Sequence, residues 1–239
     1  MKPRKLLALT LLICCALALQ GCTDDEPEME LVFGELFRDD FDSVVLGEHW
    51  LIGPELQHRQ DNKWSLTANP GFLTITAQEA EIYEANNNPV NFFLYAVPYQ
   101  NFEAVTRILF QPESDFEQAG LAIYQDMDNY ARLSRVHAYG RHAVEPALET
   151  AGSYSDWNRD IANTAEIYLK LTKIDGQLSY YYSFDGIKWR EVEHHPRVNW
   201  EQVYVVLYAI SPVSGREVDA MFDYIEVREL KWEPVKSAL

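Results

Sequence analysis

A two-residue hydrophobic alternation recurs along this chain from Leu31 to Glu229, and no stretch shows helical periodicity over several turns. Such a period places alternate side chains on opposite faces of an extended strand. Twelve segments read as strand candidates, most of them rich in Val, Ile, Tyr, Phe and Leu with some alternation: Leu31–Phe37, Trp64–Thr67, Phe72–Ala77, Phe92–Pro98, Phe102–Phe110, Ala119–Gln125, Tyr130–Tyr139, Ala165–Thr172, Gln177–Phe184, Trp189–Glu193, Gln202–Ile210 and Ala220–Glu229. Turn chemistry separates them, with Asn69-Pro70-Gly71, Asp175-Gly176 and Asp185-Gly186 as tight turns and Asn86–Pro89 as a loop. Many strands joined by short turns over one domain's length predict an all-β, antiparallel β-sandwich, spanning residues 31–230.

One hairpin can be placed more closely. Gln118–Arg135 reads QAGLAIYQDMDNYARLSR, apolar on both sides of an acidic centre. Leu121, Ile123 and Leu133 are its natural core residues and are all odd-numbered. Directly paired residues of an antiparallel ladder share a face, so either the loop holds an odd number of residues or a bulge intervenes. Asp126–Asp128 or Asp126–Tyr130 is the expected loop. Tyr124 and Arg132 then point away from the core, toward solvent or a groove.

The first residues bear on location. Lys2, Arg4 and Lys5 precede an apolar run, Leu6–Leu19, followed by Leu19-Gln20-Gly21-Cys22. A basic start, a short apolar core and a small residue before the cut form a secretory signal over residues 1–21. Cysteine directly after it resembles a bacterial lipobox, in which Cys22 is lipidated and becomes the mature N-terminus. Two or more acyl chains suffice for stable membrane anchoring. The expected location is the cell envelope, anchored to the outer membrane. Residues 22–30 read as an acidic tether and 231–239 as a C-terminal tail. The three cysteines are Cys14, Cys15 and Cys22, so the predicted folded part has neither a disulfide nor a thiolate site. Removing residues 1–21 takes three basic residues from a net charge of −17, giving −17 − 3 = −20. That charge repels phosphate backbones, so nucleic acid is not an expected partner.

Catalytic and metal motifs are sparse. DMDNYAR begins like a calcium loop, but Tyr130 and Ala131 occupy the places of the third ligand and the glycine, so a turn is expected. A structural calcium is the one cofactor considered: Asp40 and Asp42 follow the first strand and Asp223 lies in the last, where terminal strands often meet. His194-His195 point to opposite faces, and His137 and His142 flank a loop at Gly140-Arg141. No G-x-S-x-G, H-E-x-x-H or phosphate-binding glycine loop occurs. Glu217-Val218-Asp219 lacks the final glutamate of the strand-borne acid pattern of sandwich glucanases and reads as a turn.

Aromatic residues supply the remaining functional indication, with 14 Tyr and 6 Trp. Sugars offer flat C–H faces that pack on rings, while Arg, Asn and Asp bond their hydroxyls. Tyr124, Tyr130, Arg132, Arg135, His137, Tyr139, Tyr154 and Trp157 gather around one hairpin and the loop after it, and are the expected ligand-binding residues.

The stretches FRDDFDSVVLGEHW, SLTANPGFLTI, QAGLAIYQDMDNYARL, IYLKLTKIDGQLSYYYSFDGIKW and FDYIEV, in that order, resemble the concanavalin A-like sandwich at the C-terminus of family 43 glycoside hydrolases of β-xylosidase type, and related stand-alone domains. The resemblance covers nearly all of residues 33–230, but not Arg141–Asn163. It implies a two-sheet, concanavalin A-like jelly roll of carbohydrate-active context, in which catalysis belongs to a separate propeller domain, so no catalytic residue carries over. In sandwich glucanases an Asp placed like Asp223 helps hold a structural calcium. The first functional reading is therefore a lipid-anchored, non-catalytic sandwich that binds polysaccharide or oligosaccharide. The alternatives are a glycoside hydrolase or lyase drawing its acids from Glu145, Glu149, Asp156 and Asp160, and a structural protein-binding lipoprotein. On the first reading Trp157→Ala weakens glycan binding and leaves the melting temperature nearly unchanged.

Overall fold

The computed structural model describes residues 28–53, 59–192 and 194–235. The signal segment, Cys22 and most of the tether lie outside the described residues. Within them run eighteen strands: β1 Met29–Asp39, β2 Trp50–Ile52, β3 Trp64–Ser65, β4 Leu73–Glu79, β5 Ile82–Tyr83, β6 Asn86–Asn87, β7 Phe93–Val97, β8 Phe102–Leu109, β9 Gln118–Asp126, β10 Asn129–Ala138, β11 Arg141–Thr150, β12 Ser153–Asp156, β13 Arg159–Asp160, β14 Glu166–Ile174, β15 Gln177–Ser183, β16 Arg190–Val192, β17 Val203–Ser211 and β18 Val218–Pro234.

They form two antiparallel layers. One runs β18-β8-β14-β15-β16, with β4 and β1 pairing successive halves of the long β18. The other runs β7-β17-β9-β10-β11, with β2 on one edge and the short β12 and β13 on the other. A short parallel pairing of β4 with β17, at Gln78 and Ile210, joins the layers along one side. Between them lies the main core, including Leu73, Phe93, Ile108, Leu121, Leu133, Leu169, Leu207 and Phe222. The fold is the expected concanavalin A-like sandwich.

The acidic stretch after β9 is a turn. Asn129 pairs with Asp126, and Tyr130 pairs with Tyr124, so Gln125 is bulged and Met127-Asp128 make a two-residue turn. Asp126 Oδ1 accepts from the Asp128 amide and the Asn129 side chain, both at 2.9 Å. The bulge restores the register that keeps Leu121 opposite Leu133.

All twelve expected segments overlap strands, but β11 was not among them. Its sequence, RHAVEPALET, holds a proline and two glutamates, which argue against an interior strand. Proline is tolerated because the outer ladder is broken there. β13 pairs with 143–144, β12 pairs with 147–150, and Pro146 sits in the gap, its carbonyl taking the Trp157 amide at 3.0 Å.

The outer face of the second layer is not bare. Residues 80–92, including β5 and β6, fold across it and bury a second cluster of Ile82, Phe92, Ala122, Tyr124, Tyr130, Val206 and Tyr208. Tyr124 and Tyr130, expected as ligand contacts, are instead packed beneath this segment, 5% and 0% exposed. The Tyr130 hydroxyl lies 2.8 Å from both the Ile82 carbonyl and Glu149 Oε2, its single proton shared between them, and Glu149 Oε2 also accepts the Glu84 amide at 3.0 Å. These bonds tie the covering segment to β10 and β11.

Candidate functional site

Beside that cover the same face opens into a cavity of about 460 Å³, within the usual range of about 300–1,000 Å³ for small-molecule sites. Its floor is a row of outward side chains across β9, β10 and β11. Arg132 lies in the middle, flanked in its own row by Ala122 and Ala147, whose small side chains leave room for the guanidinium to spread across the sheet. In the next row Gly120 stands between Tyr208 and Ser134. A Cβ on Gly120 would come 2.1 Å from the Leu133 carbonyl oxygen, so the close approach of β9 and β10 requires glycine.

Arg132 is 4% exposed and Glu145 2%. Arg132 Nη2 reaches Glu145 Oε1 at 2.8 Å and donates to the Tyr154 hydroxyl at 2.5 Å; Nη1 donates to Ser134 Oγ at 2.9 Å and to Gln118 Oε1. Ser134 donates in turn to Gln118 at 3.0 Å and bonds the Tyr208 hydroxyl at 2.5 Å. Burial by itself favours the neutral guanidine, but the surrounding Tyr154 and Glu145 outweigh it and hold Arg132 firmly charged. Burial pushes the Tyr154 hydroxyl well above its ordinary range, keeping it neutral and able to donate. Arg132 Nε has no acceptor among the described residues.

Around the mouth stand Tyr83 from β5, Phe116 from the loop before β9, and Tyr139 from the β10–β11 turn. Tyr83 meets Tyr154 edge-on at 4.7 Å, and Phe116 meets Tyr139 edge-on at 5.3 Å. Glu81 and Asp156 add two carboxylates to the lining. The cavity thus offers apolar rings at its rim and a dense set of donors and acceptors below.

The expected ligand set is divided by strand parity and by cover. Arg132, Tyr139 and Tyr154 line the cavity. Arg135 and His137 lie on the opposite face of β10. Arg135 is fully buried, donating to the Val136 carbonyl at 2.8 Å and contacting His142 Nδ1 at 3.0 Å, and burial pushes its pKa down to about 10. His137 Nδ1 lies 3.0 Å from Asp115, and its ring meets His142 edge-on. Trp157 lies elsewhere: its ring stacks on His194 at 3.3 Å, bridging the edge beyond β11 to the segment after β16. Sequence reasoning did not select Gln118, Ser134 or Tyr208 because a polar residue on an outward parity reads as solvated until its cover is known. In sequence Glu145 reads only as a possible acid; its ion pair with Arg132, diagonal to it across β10 and β11, sets its role.

The three expected calcium ligands do not converge. Asp40 accepts from Arg38 Nε at 2.8 Å, Asp223 meets Arg107 at 2.9 Å, and Asp42 is exposed. Among the described residues no group of three His, Cys, Asp or Glu is placed to hold a metal ion.

This architecture is that of a concanavalin A-like sandwich. Residues 38–228 match the family model described as the β-xylosidase C-terminal concanavalin A-like domain, and the chain belongs to that family. It is 24% identical over 208 residues to a xylan 1,3-β-xylosidase of a Vibrio species, covering 80% of this chain and 37% of that protein. It is 22% identical over 199 residues, with the same coverages, to a non-reducing end α-L-arabinofuranosidase of Bacteroides ovatus. A family 43 glycoside hydrolase structure from Bacillus licheniformis superposes with a TM-score of 0.71 at 20% identity, over 80% of this chain and 38% of that one. The chain therefore spans little more than a third of the length of these relatives.

Proposed function

We propose that this chain is an exported lipoprotein, anchored through Cys22, whose sandwich binds saccharide without catalysing its cleavage. The observation that carries the reading is the cavity on the outer face of the β9–β11 layer: a buried, charged Arg132 bonded to Glu145 and Tyr154 below a rim of exposed rings. Polar groups fixed by one another and apolar rings at the rim suit a ligand with hydroxyls in its plane and C–H groups on its faces. Two relatives, a xylan xylosidase and an arabinofuranosidase, favour pentose-containing glycans. The test is binding of the detergent-solubilised full chain to a glycan array with calcium present. Saturable binding to one class of polysaccharide supports the reading, and a blank array from folded protein refutes it. Loss of metabolic lipid labelling in Cys22→Ala tests the anchor.

A second reading, a glycoside hydrolase or lyase, draws on the burial of Glu145 and Glu149 on one face of β11. Against it, Glu145 is committed to Arg132 and Glu149 to Tyr130. Sugar release from a panel of polysaccharides and aryl glycosides would favour it.

A further inference from the structure

Two bulky residues at the cavity mouth adopt left-handed backbone. Phe116 has φ +67° and Tyr139 φ +53°, a region that glycine, asparagine and aspartate tolerate and aromatic residues rarely enter. Tyr139-Gly140 is the two-residue turn between Ala138 and Arg141, with positive φ at both positions, as a type I′ hairpin requires. Two other hairpins share the pattern, Ala151-Gly152 and Asp175-Gly176, with small or turn-favouring residues first. Tyr139 alone among the three places a large ring there, 66% exposed. Its ring contributes nothing to the core, so local stability does not account for it.

The neighbouring loop is laced to this turn. The Phe116 amide donates to the His137 carbonyl at 2.7 Å, the His137 amide to the Glu117 carbonyl at 3.1 Å, and the Gly140 amide to Asp115 Oδ1 at 2.9 Å. The lacing holds the two backbones side by side, and the rings they carry meet edge-on, both lining the cavity and both open to solvent, Phe116 at 39%. Unfavourable backbone that the surroundings enforce at a cavity mouth is where a binding role is to be sought.

We propose that Phe116 and Tyr139 form a preset aromatic clamp that packs on the C–H face of a sugar ring at the entrance, while the polar lining organised around Arg132, with the Tyr154 hydroxyl and the Glu81 and Asp156 carboxylates, bonds the hydroxyls of the ring below it. This rests on the saccharide reading above and assigns the residues that carry its affinity. The rings are already ordered when the ligand arrives, so binding does not have to immobilise them.

The test is isothermal titration of the full chain in detergent with xylotetraose, alongside Tyr139→Asn and Phe116→Asn, with melting temperatures measured in parallel. Asparagine suits left-handed backbone, so each variant is expected to melt at the wild-type temperature or about 2–4 °C above it. Each is expected to bind xylotetraose at least about tenfold more weakly. Variants that bind as wild type overturn the clamp alone. Affinity and melting temperature falling together overturn it too, since the rings would then be structural. A wild-type protein that binds no xylotetraose overturns the clamp for this ligand class, and a blank glycan array overturns the saccharide reading as well.

Discussion

Removing the carboxylate of Glu145 should destabilise the sandwich far more than removing the whole Arg132–Glu145 pair. Both side chains are at least 95% buried, with Arg132 Nη2 and Glu145 Oε1 2.8 Å apart. In Glu145→Leu the guanidinium stays buried and charged, left with only the neutral Gln118, Ser134 and Tyr154. Breaking one side of a buried pair costs about 3–5 kcal/mol. A domain near 200 residues shifts by about 2–4 °C per kcal/mol, so the melting temperature should fall by roughly 6–20 °C. Arg132→Met with Glu145→Leu removes both charges. Gln118, Ser134 and Tyr208 keep their bonds to one another at 2.5–3.3 Å, so few polar groups are orphaned. Apolar replacement of a buried pair is often near neutral, and the double variant should melt well above either single one. Saccharide binding should nevertheless be lost, because the polar floor is gone. Calorimetric unfolding of the four proteins completes the cycle. A single variant within 2 °C of wild type, or a double variant as unstable as the two losses added, would refute the account of Arg132 as a buried charge held by Glu145.

Three further outcomes follow from the packing. Trp157→Ala should lower the melting temperature, since it deletes the ring stacked on His194, and should leave saccharide affinity nearly intact; this reverses the expectation from sequence, and the opposite split in calorimetry and titration would restore it. Gly120→Ala should fold poorly or not at all, because its Cβ would collide with the Leu133 carbonyl, and circular dichroism of a normally folded variant would contradict that. Burial opposes ionisation of Glu117, but bonds from Arg216 and from the Glu113 and Ser114 amides prevail and hold its carboxyl below the ordinary 4.5. Its folded-state pKa being depressed, its stabilisation is present above about pH 4.5 and fades as pH falls through the lower folded value, so Glu117→Gln should show a shallower acid loss of stability in urea titrations.

Much of this was legible in the chain. Strand-forming composition, partial alternation and turn residues located twelve strands, and parity alone put Leu121 and Leu133 inside and Tyr124 and Arg132 outside. Those are local properties of an extended backbone, where one residue's face fixes its neighbours' faces. The same parity separates Arg135 and His137 from Arg132, although proximity in sequence grouped them as one ligand set. β11 stayed hidden because Pro146, Glu145 and Glu149 each argue against a strand, and their acceptability depends on partners elsewhere: the gap between β12 and β13, Arg132, and Tyr130.

The sequence by itself determined the sandwich, its strand faces and its acidic character. Tertiary structure decided what the outer face of the β9–β11 layer is. The segment 80–92 lies some forty residues from β10 along the chain, yet it turns Tyr124 and Tyr130 into core and leaves Arg132, Tyr154, Phe116 and Tyr139 around an opening. Alternation specifies which way a side chain points; what meets it there is set by contacts between distant segments, which carry no periodic mark in the sequence.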